Sequence, residues 1–214
     1  MAEAEIHPLS AEEARKLLAI TSSERLHALY ALALSSGMRE SELLGLQWSE
    51  VDFDHNLVRV RWQLQREDGQ WMWKPPKTRR SRRQIALASS AMQTLRRHRD
   101  SQDAERESQG ASWEDHELVF CTRHGCPLSA RNLLRRYKEL LKKGGLPDIR
   151  FHDLRHTAAT LLLAGKVNPK VVSEMLGHSS VAITLDIYSH VLPDMQQDAV
   201  AVLERTLYQE AHRL

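Results

Sequence analysis

The sequence predicts a mainly α-helical (α+β) domain that carries a small three-stranded antiparallel sheet. Most of the chain places apolar residues three and four positions apart, which is the spacing of an amphipathic helix. Residues 57–65 instead alternate apolar and polar side chains, which is the spacing of a half-buried strand. With 214 residues, of which 42% are hydrophobic, the chain can bury a substantial core.

Three helices are predicted before the sheet. The first begins after Ser10, because Ser10 and Glu13 have the spacing of a capping box, in which each side chain satisfies a free backbone N–H. Residues 24–37 repeat apolar side chains at helical spacing, and Gly37 suits the end of that helix. A short third helix is predicted at residues 39–46.

The sheet is predicted to contain three consecutive strands. The alternating segment 57–65 is followed by an Asp-Gly turn signal, which is typical of a hairpin. Residues 71–76 are interpreted as the returning strand and residues 82–87 as the third strand, with a basic connection at 75–81. Three tryptophans of this region are expected to pack in the sheet rather than stack on nucleic-acid bases, namely Trp62, Trp71 and Trp73.

The rest of the chain is predicted to be mostly helical. The polar stretch 100–116 is interpreted as a flexible loop, and the Gly-Gly pair in 142–148 as a helix breaker. Gly165 and Gly177 each suit the end of a helix. The predicted helices are residues 89–99, 152–165, 168–177, 180–191 and, after Pro193, an amphipathic helix at 194–211.

The basic residues are concentrated in one segment, although the net charge is only +2. Residues 74–99 contain nine lysine and arginine side chains and no acidic one. Such a run forms either a solvated surface or a surface that binds a phosphate backbone, and the charge alone favours neither. The candidate contacts to a nucleic-acid backbone are Arg79, Arg80, Arg82 and Arg83.

Composition and motif content exclude several classes of function. No apolar run is long enough to span a membrane, and the first residues have no secretory signal. The two cysteines provide no disulfide framework, which fits a cytoplasmic location. No acidic pair or triad has the pattern of a two-metal site, so no metal is expected. The nearest candidate for zinc, which fits no common finger spacing, is the set His116, Cys121, His124 and Cys126.

Several short fragments contain side chains that could carry chemistry. Arg39 lies at the junction of two helices, where it either helps to bind an anion or forms a surface salt bridge with Glu42. His152 and Arg155 are three positions apart at the start of an apolar helix and therefore share one face. His178 directly follows a helix-ending glycine, where a histidine can exchange a proton.

Two further residues are ambiguous on their own. Lys77 lies in the basic connection of the sheet, where it could reach a ligand. Tyr188 lies on a predicted amphipathic helix, and is either a packing residue or a nucleophile. Considered alone, the tyrosine is better explained by packing.

The ordered set of these residues resembles the catalytic domain of the tyrosine recombinases, the phage integrase family. The segments that carry the resemblance are SGMRESELLGLQWSEVD (36–52), HDLRHTAATLLLAG (152–165) and VVSEMLGHSSVAITLDIYSH (171–190). KPPKTRRSRRQIAL (74–87) is similar to the hairpin that carries the lysine of the family. The resemblance covers nearly the whole chain. The catalytic residues that it implies are Arg39, Lys77, His152, Arg155, His178 and Tyr188.

The resemblance also implies a role for each residue. Tyr188 would be the nucleophile, and two arginines with His178 would hold the scissile phosphate. Lys77 would protonate the leaving oxygen, although its neighbours Arg79 and Arg80 are alternatives. His152 would be a phosphate or proton-transfer partner. Glu42 would orient the first arginine.

The reaction implied is cleavage and rejoining of DNA strands through a 3′-phosphotyrosine, in the integration or recombination of a mobile element. The implied partner is double-stranded DNA, with no cofactor, metal, ATP or membrane. Full-length protomers would form a tetramer on DNA, and an isolated domain would be a monomer. Two alternatives remain open: a relaxing enzyme of the type IB topoisomerase kind, and a non-catalytic DNA-binding module.

The expected domain organisation is a catalytic domain at residues 1–192 and a helical tail at 193–214. The tail either docks on a neighbouring protomer or folds back on its own domain. Core-binding and arm-binding domains, which family integrases carry before the catalytic domain, have no counterpart in this sequence.

Overall fold

The computed structural model of the protein describes residues 7–76, 81–188 and 195–208. The helices in these residues are α1 (Ala11–Thr21), α2 (His27–Ser36), α3 (Glu40–Leu44), α4 (Ser89–Gln109), α5 (Ala130–Lys143), α6 (Asp153–Ala164), α7 (Pro169–Leu176), α8 (Val181–Tyr188) and α9 (Met195–Tyr208). The strands are β1 (Val51–Asp52), β2 (Leu57–Val60), β3 (Gln63–Glu67), β4 (Gln70–Lys74) and β5 (Arg83–Ala86). The predicted fold class is therefore confirmed. No helix in the described ranges is long and apolar enough to cross a membrane.

The main hydrophobic core is built around α2. Nearly every side chain of this helix is buried, because α1, α4 and α6 pack around it. The predicted capping box precedes α1, with the Ser10 hydroxyl 3.1 Å from the Glu13 N–H and the Glu13 carboxylate 2.8 Å from the Ser10 N–H. At its other end α2 stops at Gly37, whose φ of 61° is left-handed. This turn directs the chain into α3.

The sheet has three antiparallel strands, of which β2 and β5 lie in predicted strand segments and β1 does not. The predicted long strand 57–65 is divided at Arg61 and Trp62 into β2 and β3. The three-stranded sheet has the order β1-β2-β5, whereas β3 and β4 form a separate hairpin. In the hairpin, β3 packs closely on the end of α3, where a Cβ on Gly45 would lie 2.7 Å from the Leu64 nitrogen.

The sequence predicts a loop at 100–116, which is wrong for residues 100–112 and agrees with the irregular residues 113–116. Helix α4 continues through Gln109 and a short 3₁₀ turn follows it. Its polar side chains bind other parts of the fold: the Gln102 amide donates to the Val119 carbonyl at 3.1 Å and accepts from the Trp48 indole at 2.6 Å. Long-range hydrogen bonds thus replace the apolar contacts by which a helix is recognised in sequence.

A second, smaller hydrophobic cluster joins α6, α7 and α8. Its buried members are Ala159, Leu163, Val172, Leu176 and Tyr188. Tyr188, the last residue of α8, is therefore held against α6, which begins at Asp153 directly after His152. This cluster sets the distance between the two segments that resemble family motifs.

Helix α9 exposes its apolar side chains. Val200, Val202, Leu203 and Leu207 are each at least half exposed. In the part of the chain that the structure describes, this stripe is not packed on the main domain. The fold-back alternative would require such packing.

Candidate active site

The junction of α2 and α3 positions Arg39. Arg39 precedes the first residue of α3, and the carboxylate of Glu42 reaches back to its backbone N–H at 2.9 Å and to its Nη1 at 2.8 Å. The Glu42 side chain is only 1% exposed. The contact between these two residues is therefore a buried one that holds the arginine, not an ordinary surface salt bridge.

Glu42 is held by a second arginine as well. Arg83, the first residue of β5, donates from Nη2 and Nη1 to the two carboxylate oxygens at 2.9 and 3.1 Å. Burial raises the pKa of Glu42, but the hydrogen bonds and charges of Arg83 and Arg39 outweigh it and leave that pKa below its usual value. The carboxylate is thus ionised between two guanidinium groups.

Arg83 belongs to the set predicted to contact a DNA backbone, but the structure directs its guanidinium towards Glu42. Its side chain is 6% exposed, because it lies between β5, α3 and the end of α7. Its neighbour Arg82 is exposed and lines an open pocket of 590 Å³ together with Arg59 and Arg61. Arg83 also lines this pocket, but of the two members of the predicted set that the structure describes, Arg82 is the exposed one.

Arg155 lies in the first turn of α6 and is buried, with 4% of its surface exposed. Its Nη1 donates to the carbonyl of Gly37 at 2.7 Å, which brings α6 to the α2–α3 junction. Within the described residues its buried Nη2 has no hydrogen-bond partner. Burial, followed by the charges of Arg39 and Arg83, lowers the pKa of Arg155 to about 9. The site therefore holds positive charge that the protein itself does not neutralise.

His178 follows the left-handed Gly177 at the end of α7. Its Nδ1 lies 2.8 Å from the Thr184 hydroxyl of α8, and its N–H donates to the Ser173 carbonyl at 3.0 Å. Burial and the charges of Arg155 and Arg39 lower its pKa to about 4. The imidazole is therefore neutral at physiological pH and is placed beside the arginines, as the motif implied.

His152 lies at the start of α6 with an exposed side chain. Desolvation and the nearby charge of Arg155 lower its pKa. Its ring packs edge-on against that of His156, with 5.1 Å between ring centroids. The two histidines are one helical turn apart and share a face.

Tyr188 meets His156 inside the second hydrophobic cluster. The tyrosine hydroxyl lies 2.6 Å from His156 Nδ1, and Tyr188 is 1% exposed. Burial raises the pKa of Tyr188 to about 12, and burial together with the charge of His152 lowers the pKa of His156 to about 4. The sequence interpretation missed His156, although its spacing of four from His152 could have placed it on the same helical face.

The structure brings together Arg39, Arg155, His178 and, one layer deeper, Tyr188, with His152 at the rim. In this arrangement the charges of Arg39 and Arg155 lower the pKa of His178. The charge of Tyr188 acts in the opposite direction on Arg155, whose pKa it raises. The predicted positions Lys77, Arg79 and Arg80 lie outside the described residues.

The four residues considered for zinc do not form a metal site. Their side chains are all described, and no group of three histidine, cysteine or acidic side chains in the described ranges could hold an ion. Cys121 is buried beside the Gln102 amide at 3.0 Å, and His116 stacks on Trp73. These contacts give Cys121 and His116 a structural role within the fold.

Comparisons with known proteins agree on one family. The model of the phage integrase family matches residues 8–195. A XerC-like tyrosine recombinase of Caldanaerobacter subterraneus is 39% identical over 213 residues, covering 94% of this chain and 54% of its own. The ICEBs1 integrase of Bacillus subtilis is 28% identical over 198 residues, covering 92% of this chain and 54% of its own. The chain thus spans about half the length of these relatives.

Solved structures show the same fold. The Tn1549 transposon integrase, in complex with transposon right-end DNA, matches 95% of this chain and 67% of its own with a TM-score of 0.79 and 24% identity. The XerA recombinase matches 92% of this chain and 66% of its own with a TM-score of 0.71 and 27% identity.

Proposed function

The chain belongs to the phage integrase family, the tyrosine recombinases, and on that premise we propose that it cleaves and rejoins double-stranded DNA at specific sites. In this proposal Tyr188 is the nucleophile and becomes linked to the 3′ end of the cut strand. Arg39, Arg155 and His178 bind the scissile phosphate. The reaction needs no metal ion and no ATP.

The observation that carries the proposal is the unneutralised charge of Arg155. A buried guanidinium with an unpaired Nη2 and a lowered pKa costs free energy unless an anion completes the site. A phosphodiester supplies such an anion, and its two non-bridging oxygens match the donors of two arginines. Glu42 neutralises Arg39 and Arg83 only in part, because one carboxylate faces two cations.

The chemistry follows from these charges. A phenol with a pKa near 10 is ionised in about one molecule in a thousand at pH 7, which costs roughly 4 kcal/mol. Cations around the phosphate lower this cost and stabilise the charge of the transition state, and one arginine is worth about 10³–10⁵ in related phosphoryl transfers. Two arginines and a histidine could therefore replace metal ions.

The proposed step balances as follows. The Tyr188 oxygen forms a bond to phosphorus while the bond from phosphorus to the 5′ oxygen breaks. His152 accepts the phenolic proton, and Lys77, or Arg79 or Arg80 in its place, supplies the proton of the leaving oxygen. The phosphotyrosine ester conserves the energy of the broken bond, so the reverse reaction rejoins a strand without ATP.

Tyr188 must move before it can react. Its hydroxyl is buried against His156, and burial raises its pKa to about 12. We infer that DNA binding displaces the end of α8 and brings the hydroxyl from His156 to the phosphate. The resting position would protect the nucleophile in the free protein.

The assembly we propose is a tetramer of full-length protomers on DNA, with the residue 1–192 domain as catalytic unit. The exposed apolar stripe of α9 supports docking of the tail, residues 193–214, on a neighbouring protomer. Arg82, Arg79 and Arg80 would contact the DNA backbone. A cytoplasmic location fits action on DNA.

A suicide DNA substrate, in which the cleaved end diffuses away, tests the proposal. We expect a covalent protein–DNA adduct that forms in EDTA, maps to Tyr188 and is lost in Tyr188→Phe with DNA binding retained. Tyr30→Phe is the matched control, because Tyr30 is an equally buried tyrosine in the main core. No adduct under conditions where DNA is bound would favour the non-catalytic module instead. Efficient relaxation of plasmids without a specific site would favour the topoisomerase alternative.

A further inference from the structure

We propose that Arg83 is a positioning residue that fixes Arg39 and His178 relative to each other, and is not itself a ligand of DNA. This inference rests on the proposed function. It concerns a residue that touches neither the nucleophile nor the phosphate in that proposal. It assigns Arg83 a role different from that of its exposed neighbour Arg82.

The Arg83 guanidinium joins three segments of the fold. It donates to both oxygens of Glu42 in α3, at 2.9 and 3.1 Å. Its Nε donates to the Met175 carbonyl in the last turn of α7 at 2.5 Å, and Nη1 also donates to the Ser81 carbonyl at 3.0 Å. No other residue of the described site contacts all three segments through hydrogen bonds with its side chain in this way.

Two of these contacts, to Glu42 and to Met175, lead to residues of the proposed site. Glu42 holds both the backbone N–H and the guanidinium of Arg39. Met175 is three residues before His178, and the two are separated by the left-handed turn at Gly177. A displacement of Arg83 would therefore shift an arginine and a histidine that lie 139 positions apart in the sequence, since they occupy positions 39 and 178.

The Arg83 side chain packs closely against the end of α7. A Cβ on Gly177 would lie 3.1 Å from both Cδ and Nη1 of Arg83. The side chain of Arg83 is 6% exposed and that of Glu42 is 1% exposed, so losing one of their hydrogen bonds would leave a largely buried polar group unsatisfied. Arg83 is therefore held in one orientation, and it holds its partners in turn.

An arginine is required by the geometry of the acceptors. Two carboxylate oxygens and two carbonyls lie around one planar group, and a guanidinium has five N–H donors in a fixed fork. A lysine would keep the positive charge but offers one compact ammonium, which cannot reach α3 and α7 together. The substitution Arg83→Lys therefore keeps the positive charge at this position and removes the hydrogen bonds that join α3 to α7.

The chain offers a matched control at Arg25. Its guanidinium also binds one carboxylate, that of Glu105, here through three hydrogen bonds, and it donates to two backbone carbonyls, those of Cys121 and Thr122. It is remote from the proposed site. Arg25→Lys should cost a similar amount of stability without affecting the phosphate-binding residues.

The first measurement is single-turnover adduct formation on the suicide substrate at saturating DNA. We expect Arg83→Lys to lower the rate constant by about 10–100-fold, because a shift on the order of 1 Å costs that much in an oriented site. The Kd for DNA should change less than about threefold, since Arg83 is not a backbone contact. Arg25→Lys should leave both quantities unchanged.

The second measurement distinguishes positioning from general destabilisation. On a substrate whose scissile phosphate is a neutral methylphosphonate, the arginines matter less, so the defects of Arg39→Lys and Arg83→Lys should shrink in parallel. A merely unstable protein would be equally slow on both substrates. If Arg83→Lys does not fold, Arg83→Gln, which keeps planar donors, takes its place.

The third measurement does not depend on catalysis. Hydrogen exchange in the free protein should accelerate at the N–H groups of Arg39 and His178 in Arg83→Lys, and at neither in Arg25→Lys. Unchanged exchange at both groups, or a normal rate of adduct formation despite faster exchange, would overturn the proposal. A wild-type protein that forms no adduct would refute the proposed function, while the exchange would still report whether Arg83 ties the two segments.

Discussion

The hydroxyl of Tyr188 lies 2.6 Å from Nδ1 of His156, and both side chains are buried. Tyr188 is the last residue of α8, whereas His156 is in the second turn of α6. The hydrogen bond therefore joins the proposed nucleophile to the helix that carries Arg155. In the proposed reaction this bond must break, so it is a barrier to reaction in the absence of DNA.

We expect His156 and Tyr188 to be coupled energetically. His156→Leu should lower the free energy of unfolding by about 1–3 kcal/mol, because it leaves a buried phenol without a partner. In a Tyr188→Phe background the same change should cost much less, since no hydroxyl remains to be satisfied. Urea unfolding of the four proteins of this double-mutant cycle measures the coupling. Strictly additive losses would show that the hydrogen bond contributes nothing.

The phenol of Tyr188 is expected to titrate at about 12 in the free protein, two units above an ordinary tyrosine, mainly because it is buried. The raised pKa favours the neutral form in the folded state. The resulting stabilisation is complete below pH 10 and is lost as the pH rises towards 12. NMR of ¹³Cζ-labelled tyrosine, assigned with Tyr188→Phe, measures the pKa. Titration near 10 would show that the side chain is exposed in solution.

Acid should destabilise the protein through the buried His156 and the half-buried His178. The pKa values of His156 and His178 are lowered to about 4, so the unfolded chain binds more protons than the folded one below pH 6.5. The stabilisation is present above pH 6.5 and is lost as the pH falls towards 4.

His156→Gln tests this expectation. Between pH 7.5 and 5 the wild type should lose about 1–2 kcal/mol more unfolding free energy than the variant. Urea titrations at the two pH values measure the difference. Parallel losses in both proteins would mean that His156 is already protonated or accessible in the folded state.

Gly177→Ala should lower the rate of adduct formation more than Gly145→Ala does. Both glycines are left-handed, with φ of 71° and 57°, so each substitution costs about 1–2 kcal/mol of backbone strain. At Gly177 the added Cβ also meets Arg83 at 3.1 Å, whereas at Gly145 the nearest atom is 3.9 Å away. Both variants should therefore lose a similar amount of thermal stability. Only Gly177→Ala should also slow adduct formation. Equal rates for the two variants would argue against a tight Arg83 site.

The local elements were largely predictable. The capping box of α1, the glycines that end α2 and α7, and the Asn-Pro start of α7 are effects of neighbouring residues and appear in the structure as expected. The division of the predicted strand and the extension of α4 were not predictable. Both depend on contacts between distant residues, such as Leu64 with Gly45 and Gln102 with Val119.

The sequence by itself determined the family, because an ordered set of short motifs is preserved whatever the packing between them. It also predicted that Arg39, Arg155 and His178 lie together and that Glu42 lies beside Arg39. Only the tertiary structure decided which arginine of the 82–83 pair is buried and which is exposed. The two arginines are adjacent at the start of β5, and only the partners of Arg83, which are Glu42 and the end of α7, distinguish them. In the same way, only the packing of α6 on α8 decided that Tyr188 rests on His156, away from solvent.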